Sequence, residues 1–408
     1  MEYLIIGNSV AAAGCIEGIR RRDKTGAITV LSKENYEMYA RPLISYLLAG
    51  KTTEDKMRYR PIGFYEDNNV SLLYDPAAAI DVRARTVETV GGRRLSYDAL
   101  LLATGARPIV PPIEGLDKVK HRYTFLTLDD ARALGASLRP DSRVLIVGAG
   151  LIGLKCAEAV RHTCAAVTVI DAADRVLSSI LTREAAASVE AHLAHNGIGL
   201  RLNDRAARFE GNTAYLASGE TVGFDILVMA VGVAPETALA GLAGIEIGRG
   251  IRIDARGETS AKNVYAAGDC AETLDVSSGT VKNMALLPNA YMQGECAGLN
   301  MAGGRAVFDR AIPMNAIGFF GLHILSAGSY IGSTYTETAD GAYKCLFYDE
   351  NALKGFILVG DVEKAGIYTA LIRERTPLCE IDFELVKQKP SLIAFDRAAR
   401  REKLGRAV

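Results

Sequence analysis

Residues 2–34, EYLIIGNSVAAAGCIEGIRRRDKTGAITVLSKE, decide the fold of this chain. A short apolar run at 3–6 is followed by a stretch of small residues, and a helical pattern then continues to Arg22. A second apolar run with strand character, 27–31, ends shortly before Glu34. This order of strand, small-residue turn, helix, strand and acid predicts a βαβ unit that binds a dinucleotide.

The turn of this βαβ unit is an imperfect glycine motif. Gly7 occupies the first position, but Ser9 and Ala12 stand where the second and third glycines are usual. Small residues let backbone N–H groups approach a pyrophosphate, and the helix N-terminus offers partial positive charge. Glu34, 27 residues after Gly7, can accept hydrogen bonds from ribose hydroxyls. The turn alone is a weak signal, because ordinary α/β turns share these features.

A second βαβ unit occupies residues 143–171, RVLIVGAGLIGLKCAEAVRHTCAAVTVID. Its turn holds the complete G-x-G-x-x-G pattern, and the residues expected to contact the nucleotide are Gly148, Gly150, Ile152 and Gly153. Asp171 ends the second strand, 23 residues after Gly148. Two such units in one chain predict that two nucleotides bind together.

The composition excludes several classes of function. The chain has 408 residues, enough for two or three domains, and its formal net charge of −1 gives no sign of nucleic-acid binding. No apolar run reaches the length of a membrane span and no signal peptide is recognisable, so we expect a cytoplasmic protein without membrane insertion. The 7 cysteines do not form the closely spaced clusters that hold zinc or iron–sulfur centres, so we expect no metal site.

Residues 35–46, NYEMYARPLISY, place a Tyr-x-Arg-Pro-x-x-Ser segment directly after the first βαβ unit. With the two glycine motifs, this segment resembles the FAD-dependent pyridine-nucleotide oxidoreductases, and within them the rubredoxin reductase and nitrite reductase flavin-domain branch. The resemblance implies that FAD binds the first unit and NAD(H) the second, with Arg41 and Pro42 along the FAD. A proline that starts a short helix also explains the segment.

Later segments extend the resemblance over residues 1–310. The ATGARP stretch at 103–108 closes over FAD in relatives, and the aspartate of a Gly-Asp pair accepts a hydrogen bond from a ribityl hydroxyl. A helix start near residue 287 lies over the flavin in relatives. The further contacts that the resemblance implies are Ala103, Thr104, Gly105, Arg107, Gly268, Asp269, Leu287 and Pro288 for FAD, and Gly232 for NAD(H).

The predicted fold class is α/β, with two Rossmann-like dinucleotide-binding domains, for FAD and NAD, and a small C-terminal α+β domain. We expect a discontinuous FAD-binding domain at 1–108 and 237–310 and an NAD-binding domain at 109–236. Residues 311–408 form the C-terminal domain, of the interface type. Its basic stretch 396–406 is either a solvated tail or a docking segment for an acidic partner.

The segment 35–46 contains no cysteine, whereas disulfide reductases of this superfamily need a cysteine pair beside the flavin. Electrons should therefore leave FAD directly, toward an iron–sulfur protein, rubredoxin, a quinone or oxygen. Tyr46 stands where ferredoxin-reductase relatives have a lysine near the flavin, and Lys155 stands where they have a glutamate, so we expect both to tune the flavin. Asp171 favours NADH over NADPH, although Arg175 is nearby.

Three functions remain open. The first is the NAD-reducing FAD subunit of an iron–sulfur 2-oxoacid dehydrogenase complex of the phenylglyoxylate type, working as an oligomer or complex subunit. The second is a freestanding NADH:rubredoxin or ferredoxin reductase, or an NADH oxidase. The third, a non-catalytic FAD-binding redox sensor, is disfavoured by the complete second glycine motif. Copurification with iron–sulfur subunits would separate the first two.

Overall fold

The computed structural model describes residues 1–339 and 341–395, so the basic stretch 396–406 lies outside the described residues. The strands in chain order are β1 (Glu2–Ile6), β2 (Ala27–Leu31), β3 (Val70–Leu73), β4 (Ala77–Asp81), β5 (Thr86–Thr89), β6 (Arg94–Ser96), β7 (Ala99–Leu102), β8 (Ala106–Pro108), β9 (Arg122–Tyr123), β10 (Arg143–Val147), β11 (Ala166–Ile170), β12 (Ile198–Arg201), β13 (Ala206–Glu210), β14 (Thr213–Leu216), β15 (Thr221–Gly223), β16 (Ile226–Met229), β17 (Val233–Pro235), β18 (Val264–Ala266), β19 (Glu272–Asp275), β20 (Thr280–Asn283), β21 (Met314–Phe319), β22 (Leu322–Gly328), β23 (Ser333–Ala339), β24 (Ala342–Tyr348) and β25 (Leu353–Val359). The helices are α1 (Val10–Arg22), α2 (Ile44–Leu48), α3 (Phe64–Asp67), α4 (Leu128–Ser137), α5 (Leu151–Val160), α6 (Arg183–His195), α7 (Ala238–Leu242), α8 (Leu287–Met301), α9 (Ala365–Glu374) and α10 (Phe383–Gln388).

The chain divides into two compact bodies. The larger body comprises Met1–Ile170, Asp204–Leu274 and Val281–Asp309. The smaller body comprises Asp171–Asn203, Asp275–Thr280 and the described residues from Arg310 onward. Among the described residues, no helix is both long and apolar enough to span a bilayer.

Two parallel sheets form the framework of the larger body. The first has the strand order β18-β7-β1-β2-β3, and the second contains β11, β10, β16 and β9 in that order. β1 and β10 are buried apart from their first residues, as expected for parallel strands covered on both faces. Both predicted βαβ units are therefore confirmed at the level of their strands and helices.

Helices α1 and α8 cover one face of the first sheet and approach each other at backbone distance. A Cβ on Gly14 would lie 2.2 Å from the carbonyl oxygen of Tyr291, and a Cβ on Gly298 would lie 2.2 Å from that of Cys15. Ile16 and Ile19 on α1 are fully buried in the same core. This contact fixes the start of α8 relative to the first glycine loop.

The smaller body is built on an antiparallel sheet with the order β21-β22-β25-β24-β23. Helix α9 packs on this sheet, and the rings of Phe356 and Tyr368 lie 5.5 Å apart in the core. The sequence predicts paired antiparallel strands at 343–348 and 353–360 and a helix from about 364 to 375, and β24, β25 and α9 confirm this prediction. The architecture as a whole agrees with the predicted α/β class, while the three domain boundaries stay a prediction.

Candidate functional site

The first glycine loop is shaped by one close backbone contact. Gly7 has a φ of +112°, and a Cβ there would lie 2.1 Å from the carbonyl oxygen of Ala103, so the position requires glycine. Ser9 precedes α1, whose first turn has no acidic residue. A helix N-terminus without a nearby carboxylate suits an anionic phosphate group. The loop thus fits a pyrophosphate, and Gly7 and Ala103, both expected to contact FAD, lie against each other.

The second glycine loop has a tighter geometry. Gly148 has a φ of +118°, and a Cβ on Gly153 would lie 2.0 Å from the Gly148 carbonyl oxygen. Gly150 caps α5, and a Cβ there would meet no atom within 4 Å, so open space faces the helix N-terminus. Ile152 is half-buried behind it. The loop therefore fits the pyrophosphate of a second dinucleotide.

Glu34 lies in a polar cluster with Arg41 and Tyr39. The Arg41 guanidinium approaches a Glu34 carboxylate oxygen to 2.6 Å, and the Tyr39 hydroxyl donates to the other oxygen at 3.0 Å. The backbone N–H of Leu128 donates to the same hydroxyl at 2.9 Å. Burial raises the pKa of Tyr39, so this hydroxyl stays protonated at neutral pH. The structure thus brings the predicted ribose carboxylate and the predicted phosphate-side arginine together.

The Gly-Asp pair lies beside the same loop. A Cβ on Gly268 would be 3.3 Å from the Ala11 methyl group, which places the pair next to the start of α1. Among the described residues, the Asp269 carboxylate has no hydrogen-bond partner. Burial raises the pKa of Asp269, and the positive charge of Arg41 opposes that shift only in part. A desolvated carboxylate without a donor fits a site that receives a ligand hydroxyl.

Leu287 and Pro288 open α8, whose first turn also lacks an acidic residue. Ala290, within that turn, would contact a Cβ on Gly268 at 3.5 Å. The N-terminus of α8 therefore points its positive end toward the Gly-Asp pair and the first loop. Gly268, Ala11 and Ala290 thus lie together at the start of α8, an arrangement that fits a flavin dinucleotide.

Residues 104–107 connect to the end of the second predicted nucleotide domain. Thr104 Oγ1 donates to the carbonyl oxygen of Glu236 at 2.6 Å, and the Glu236 N–H donates to Gly105 at 2.9 Å. β8 and β17 continue this contact as an antiparallel pair. Arg107 reaches Glu236 at 3.9 Å, but its side chain is 63% exposed, so this ion pair contributes little. Arg107 is therefore placed beside the connection rather than inside a closed cavity.

Gly232, just before β17, adopts a φ of +122°, and its carbonyl oxygen accepts the Ile109 N–H at 3.0 Å. A Cβ there would have only the Ile109 side chain nearby, at 3.9 Å. The requirement for glycine is therefore the backbone conformation, and the surrounding space stays open. This arrangement is compatible with the predicted approach of a nucleotide.

Tyr46 and Lys155 are in direct contact. The Lys155 Nζ lies 5.3 Å from the centroid of the Tyr46 ring and forms an ion pair with Glu158, three residues further along α5. The Lys155 and Glu158 side chains are 20% and 12% exposed, whereas Tyr46 is 44% exposed. The two positions that depart from the ferredoxin-reductase pattern thus form one cation–π pair, with its charge balanced inside the helix.

Asp171, in the smaller body, follows β11 directly and accepts the Ala173 N–H at 2.7 Å. Arg175 is already engaged, because it pairs with Asp174 at 2.8 Å and donates to two backbone carbonyls, of Leu181 and Ser178. Its guanidinium therefore has little free capacity for a 2′-phosphate. The preference for NADH stays a prediction.

One contact of the first loop was not predicted from the sequence. The Asn8 amide donates to the carbonyl oxygen of Tyr36 at 3.1 Å and accepts from the Tyr65 hydroxyl at 2.6 Å. Burial raises the pKa of Tyr65 to about 12, so it remains a donor. Asn8 could have been singled out by its place in the loop, but nothing in one sequence indicates Tyr65.

All seven cysteines lie among the described residues, and none is in a disulfide. Six are buried, and Cys379 is exposed. Cys270 follows Asp269, but it is fully buried among backbone carbonyls, and burial raises its pKa. Such a thiol is a poor nucleophile, because the thiolate is the reactive form. The described residues also contain no group of three or more His, Cys, Asp or Glu side chains placed to hold a metal ion.

Comparison with known families gives two matches along the chain. The pyridine nucleotide-disulphide oxidoreductase family matches residues 1–294. The rubredoxin NAD+ reductase C-terminal domain matches residues 313–376.

Individual proteins extend this result. The chain is 33% identical to the NADH-dependent phenylglyoxylate dehydrogenase subunit epsilon of Aromatoleum evansii, over 92% of both chains. It is 32% identical to the rubredoxin-NAD(+) reductase of Pseudomonas putida, over 74% of this chain and 80% of the relative. A ferredoxin reductase structure from Rhodopseudomonas palustris superposes with a TM-score of 0.86, at 24% identity, over 92% of this chain and 95% of the other. That structure supports the fold.

Proposed function

Because the chain belongs to the pyridine nucleotide-disulphide oxidoreductase family, we propose that it moves electrons between NAD(H) and an iron–sulfur protein through FAD. The protein is an NAD-dependent flavoprotein oxidoreductase that uses FAD and NAD(H) and has no redox-active disulfide.

One observation carries the proposal: the segments that the resemblance places beside the flavin hold no reactive thiol. The segment 35–46, beside the first glycine loop, has no cysteine, and Cys270 is a buried, neutral thiol. A relay through a disulfide needs two reactive sulfurs within bonding distance. Electrons that enter FAD as a hydride must therefore leave without one, and bound FAD can pass them on singly to an iron–sulfur centre.

Different residues of the larger body would bind different parts of the two cofactors. Asp269 accepts a ribityl hydroxyl, which supplies the donor that its carboxylate lacks, and Glu34 accepts ribose hydroxyls while Arg41 balances its charge. The start of α8 stabilises negative charge at the flavin. The loop at 148–153 binds the pyrophosphate of NAD(H), with Gly232 beside the nicotinamide nucleotide.

Lys155 would act on the flavin environment through its charge. Its ammonium is restrained by the Tyr46 ring and by Glu158, and it is only partly exposed. A positive charge in such surroundings favours negative charge on a reduced cofactor nearby. The ion pair with Glu158 reduces that effect without cancelling it.

The finer proposal is that the protein is the NAD-linked subunit of an iron–sulfur complex that oxidises a 2-oxoacid of the phenylglyoxylate type. Its support is the similarity to the phenylglyoxylate dehydrogenase subunit, which runs over 92% of both chains. The second candidate, a freestanding rubredoxin reductase, is favoured by the match of residues 313–376 to the C-terminal domain of that enzyme class.

Anaerobic stopped-flow measurements test the electron partner. The FAD-loaded protein, reduced with NADH, is mixed with oxidised rubredoxin, with a ferredoxin, or with coenzyme A disulfide. We expect rapid flavin reoxidation by an iron–sulfur protein and none by the disulfide, with the same rates in each single Cys→Ser variant. Reoxidation by the disulfide alone, or its loss in one folded cysteine variant, would refute the proposal.

Affinity purification from the native host separates the two finer candidates. Copurification with iron–sulfur subunits, and 2-oxoacid-dependent NAD+ reduction by the assembly, would support the complex. A chain that purifies alone and reduces rubredoxin with NADH would favour the freestanding reductase.

A further inference from the structure

A cavity of about 240 Å³ lies between helix α8, strand β19 and the segment 253–257. All of its lining residues belong to the larger body, and none of them was expected to contact FAD or NAD(H). Its walls are mainly apolar and include Ile253, Leu274 and Phe308. The Phe308 N–H donates to the carbonyl oxygen of Ala255 at 2.8 Å, which joins two of these walls. The cavity is therefore separate from both glycine loops.

One buried polar side chain, Gln293 of α8, lines this cavity and is only 4% exposed. Its Oε1 atom accepts the Gly268 N–H at 2.9 Å, which fixes the side chain. Its Nε2 atom has no hydrogen-bond partner among the described residues. A buried amide donor without an acceptor is unfavourable, and native structures rarely leave one. A single water satisfies such a donor but does not fill a mainly apolar cavity of this size.

The rim and the volume of the cavity restrict what it can hold. Asp254 and Asp309 line it and are exposed, so negative charge surrounds the opening and disfavours anions. Leu274 and Val281, on β19 and β20, are 40% and 63% exposed and add apolar surface there. An apolar cavity of about 150 Å³ already admits benzene, so this one has room for a ring with small substituents.

We propose that the cavity binds a neutral molecule with one ring and a carbonyl group, whose oxygen accepts a hydrogen bond from Gln293 Nε2. The ring fills the apolar space beside Phe308, and the Gly268 N–H keeps its bond to Gln293 Oε1. Such a ligand satisfies the buried donor and the apolar walls together. Carboxylates and nucleotides do not fit, because their charge would be desolvated beside two aspartates.

Fluorine NMR titrations of the FAD-loaded full chain test this assignment with two matched probes. The first is 4′-fluoroacetophenone, and the second is 4-fluoro-α-methylstyrene, in which a methylene group replaces the carbonyl oxygen. Gln293→Met removes the amide at similar size. We expect this substitution to reduce the preference for the ketone over the alkene at least about fivefold, because only the ketone loses a hydrogen bond. 4-Fluorobenzoate should not bind measurably to the wild type.

A second variant tests the location without touching the amide. Cys296 also lines the cavity, and Cys296→Met extends a longer, adaptable side chain into it. We expect both probes to lose binding while the FAD absorbance stays unchanged. The matched control Cys379→Met makes the same exchange at an exposed cysteine of the smaller body, and it should leave both dissociation constants unchanged.

Four results would overturn the proposal. These are no binding of the ketone at millimolar concentration, binding that persists in Cys296→Met, an equal preference in the wild type and Gln293→Met, and benzoate binding as tight as that of the ketone. If Gln293→Met does not retain FAD, Cys296→Met and the comparison of ketone with benzoate decide the outcome.

Discussion

In the second glycine loop, a Cβ on Gly153 would stand 2.0 Å from the Gly148 carbonyl oxygen, whereas the first loop has Ala12 at the matching position, fully buried. The close approach in the first βαβ unit lies further along α1, where a Cβ on Gly18 would come within 2.4 Å of the Glu295 carbonyl oxygen on α8. The glycine of α5 thus packs against the backbone of its own loop, whereas the glycine of α1 packs against the backbone of α8.

This difference explains why an incomplete motif can still form a nucleotide loop. The first glycine of each motif is fixed by a positive φ and by a carbonyl oxygen of the neighbouring strand end, at Ala103 or Ala230. The residue required at the third position of the motif depends on what the helix packs against. This residue can therefore differ between the two units. Alanine at the first glycine should therefore disturb either loop, whereas the residue tolerated at the third position should differ between the two units.

The largest expected effect is at the first glycines. Gly7→Ala should abolish FAD retention, whereas Gly148→Ala should retain FAD but raise the NADH dissociation constant at least tenfold. The left-handed conformation alone costs about 1–2 kcal/mol for an alanine, and the overlap with a backbone oxygen adds to it. The flavin-to-protein absorbance ratio and anaerobic bleaching measure the two outcomes. Ala12→Gly is the control and should change neither; loss of FAD in both alanine variants would break the comparison.

Asp269→Asn should weaken FAD binding by roughly tenfold, because a hydrogen bond to a charged acceptor contributes about 1.5–3 kcal/mol. In the cofactor-free protein, the same substitution should increase the free energy of unfolding. Burial raises the pKa of Asp269 in the folded state, so its contribution favours folding at low pH and is lost as the pH rises through that pKa. Without FAD and at neutral pH, the Asn variant should therefore unfold at a higher temperature than the wild type. Addition of FAD should raise its unfolding temperature by less than it raises that of the wild type. A variant that gains as much from FAD as the wild type would contradict this role.

A moderate effect is expected at the acid of the second βαβ unit. Asp171→Ser should reduce the preference for NADH over NADPH by about tenfold, because it removes a carboxylate that repels a 2′-phosphate. Arg175→Ala should change the preference little, because the Arg175 side chain is held by Asp174 and two carbonyls. The measurement is kcat/KM with each nucleotide. A strong loss of NADPH activity in Arg175→Ala would show that this arginine reaches the nucleotide.

The smallest effect concerns Lys155. Lys155→Met should lower the flavin midpoint potential, and Lys155→Glu should lower it further, by on the order of 30 mV, which is about 1.4 kcal/mol for a two-electron couple. Glu158→Gln should raise the potential, because it removes the charge that balances the ammonium. FAD content should stay unchanged in all three. Potentials equal to that of the wild type would remove Lys155 from the mechanism.

Most of the fold could be predicted from local patterns in the sequence. The strands around Gly7 and Gly148 were visible as apolar runs, and the hairpin of β24 and β25 was visible for the same reason. The contacts that the sequence did not reveal join distant residues, such as Tyr65 with Asn8 and Gly298 with the backbone of Cys15. Glu158 is three residues from Lys155, and that spacing on a helix could have predicted their pairing.

An anaerobic NADH titration tests directly whether electrons enter and leave this protein through FAD without a disulfide. Without a reducible disulfide, complete bleaching of the flavin should consume about one equivalent of NADH per FAD, since one hydride carries two electrons. The endpoint should be the same in a variant that lacks Cys270. Consumption of about two equivalents, with a spectrum that changes in two stages, would reveal a second two-electron acceptor and contradict the account.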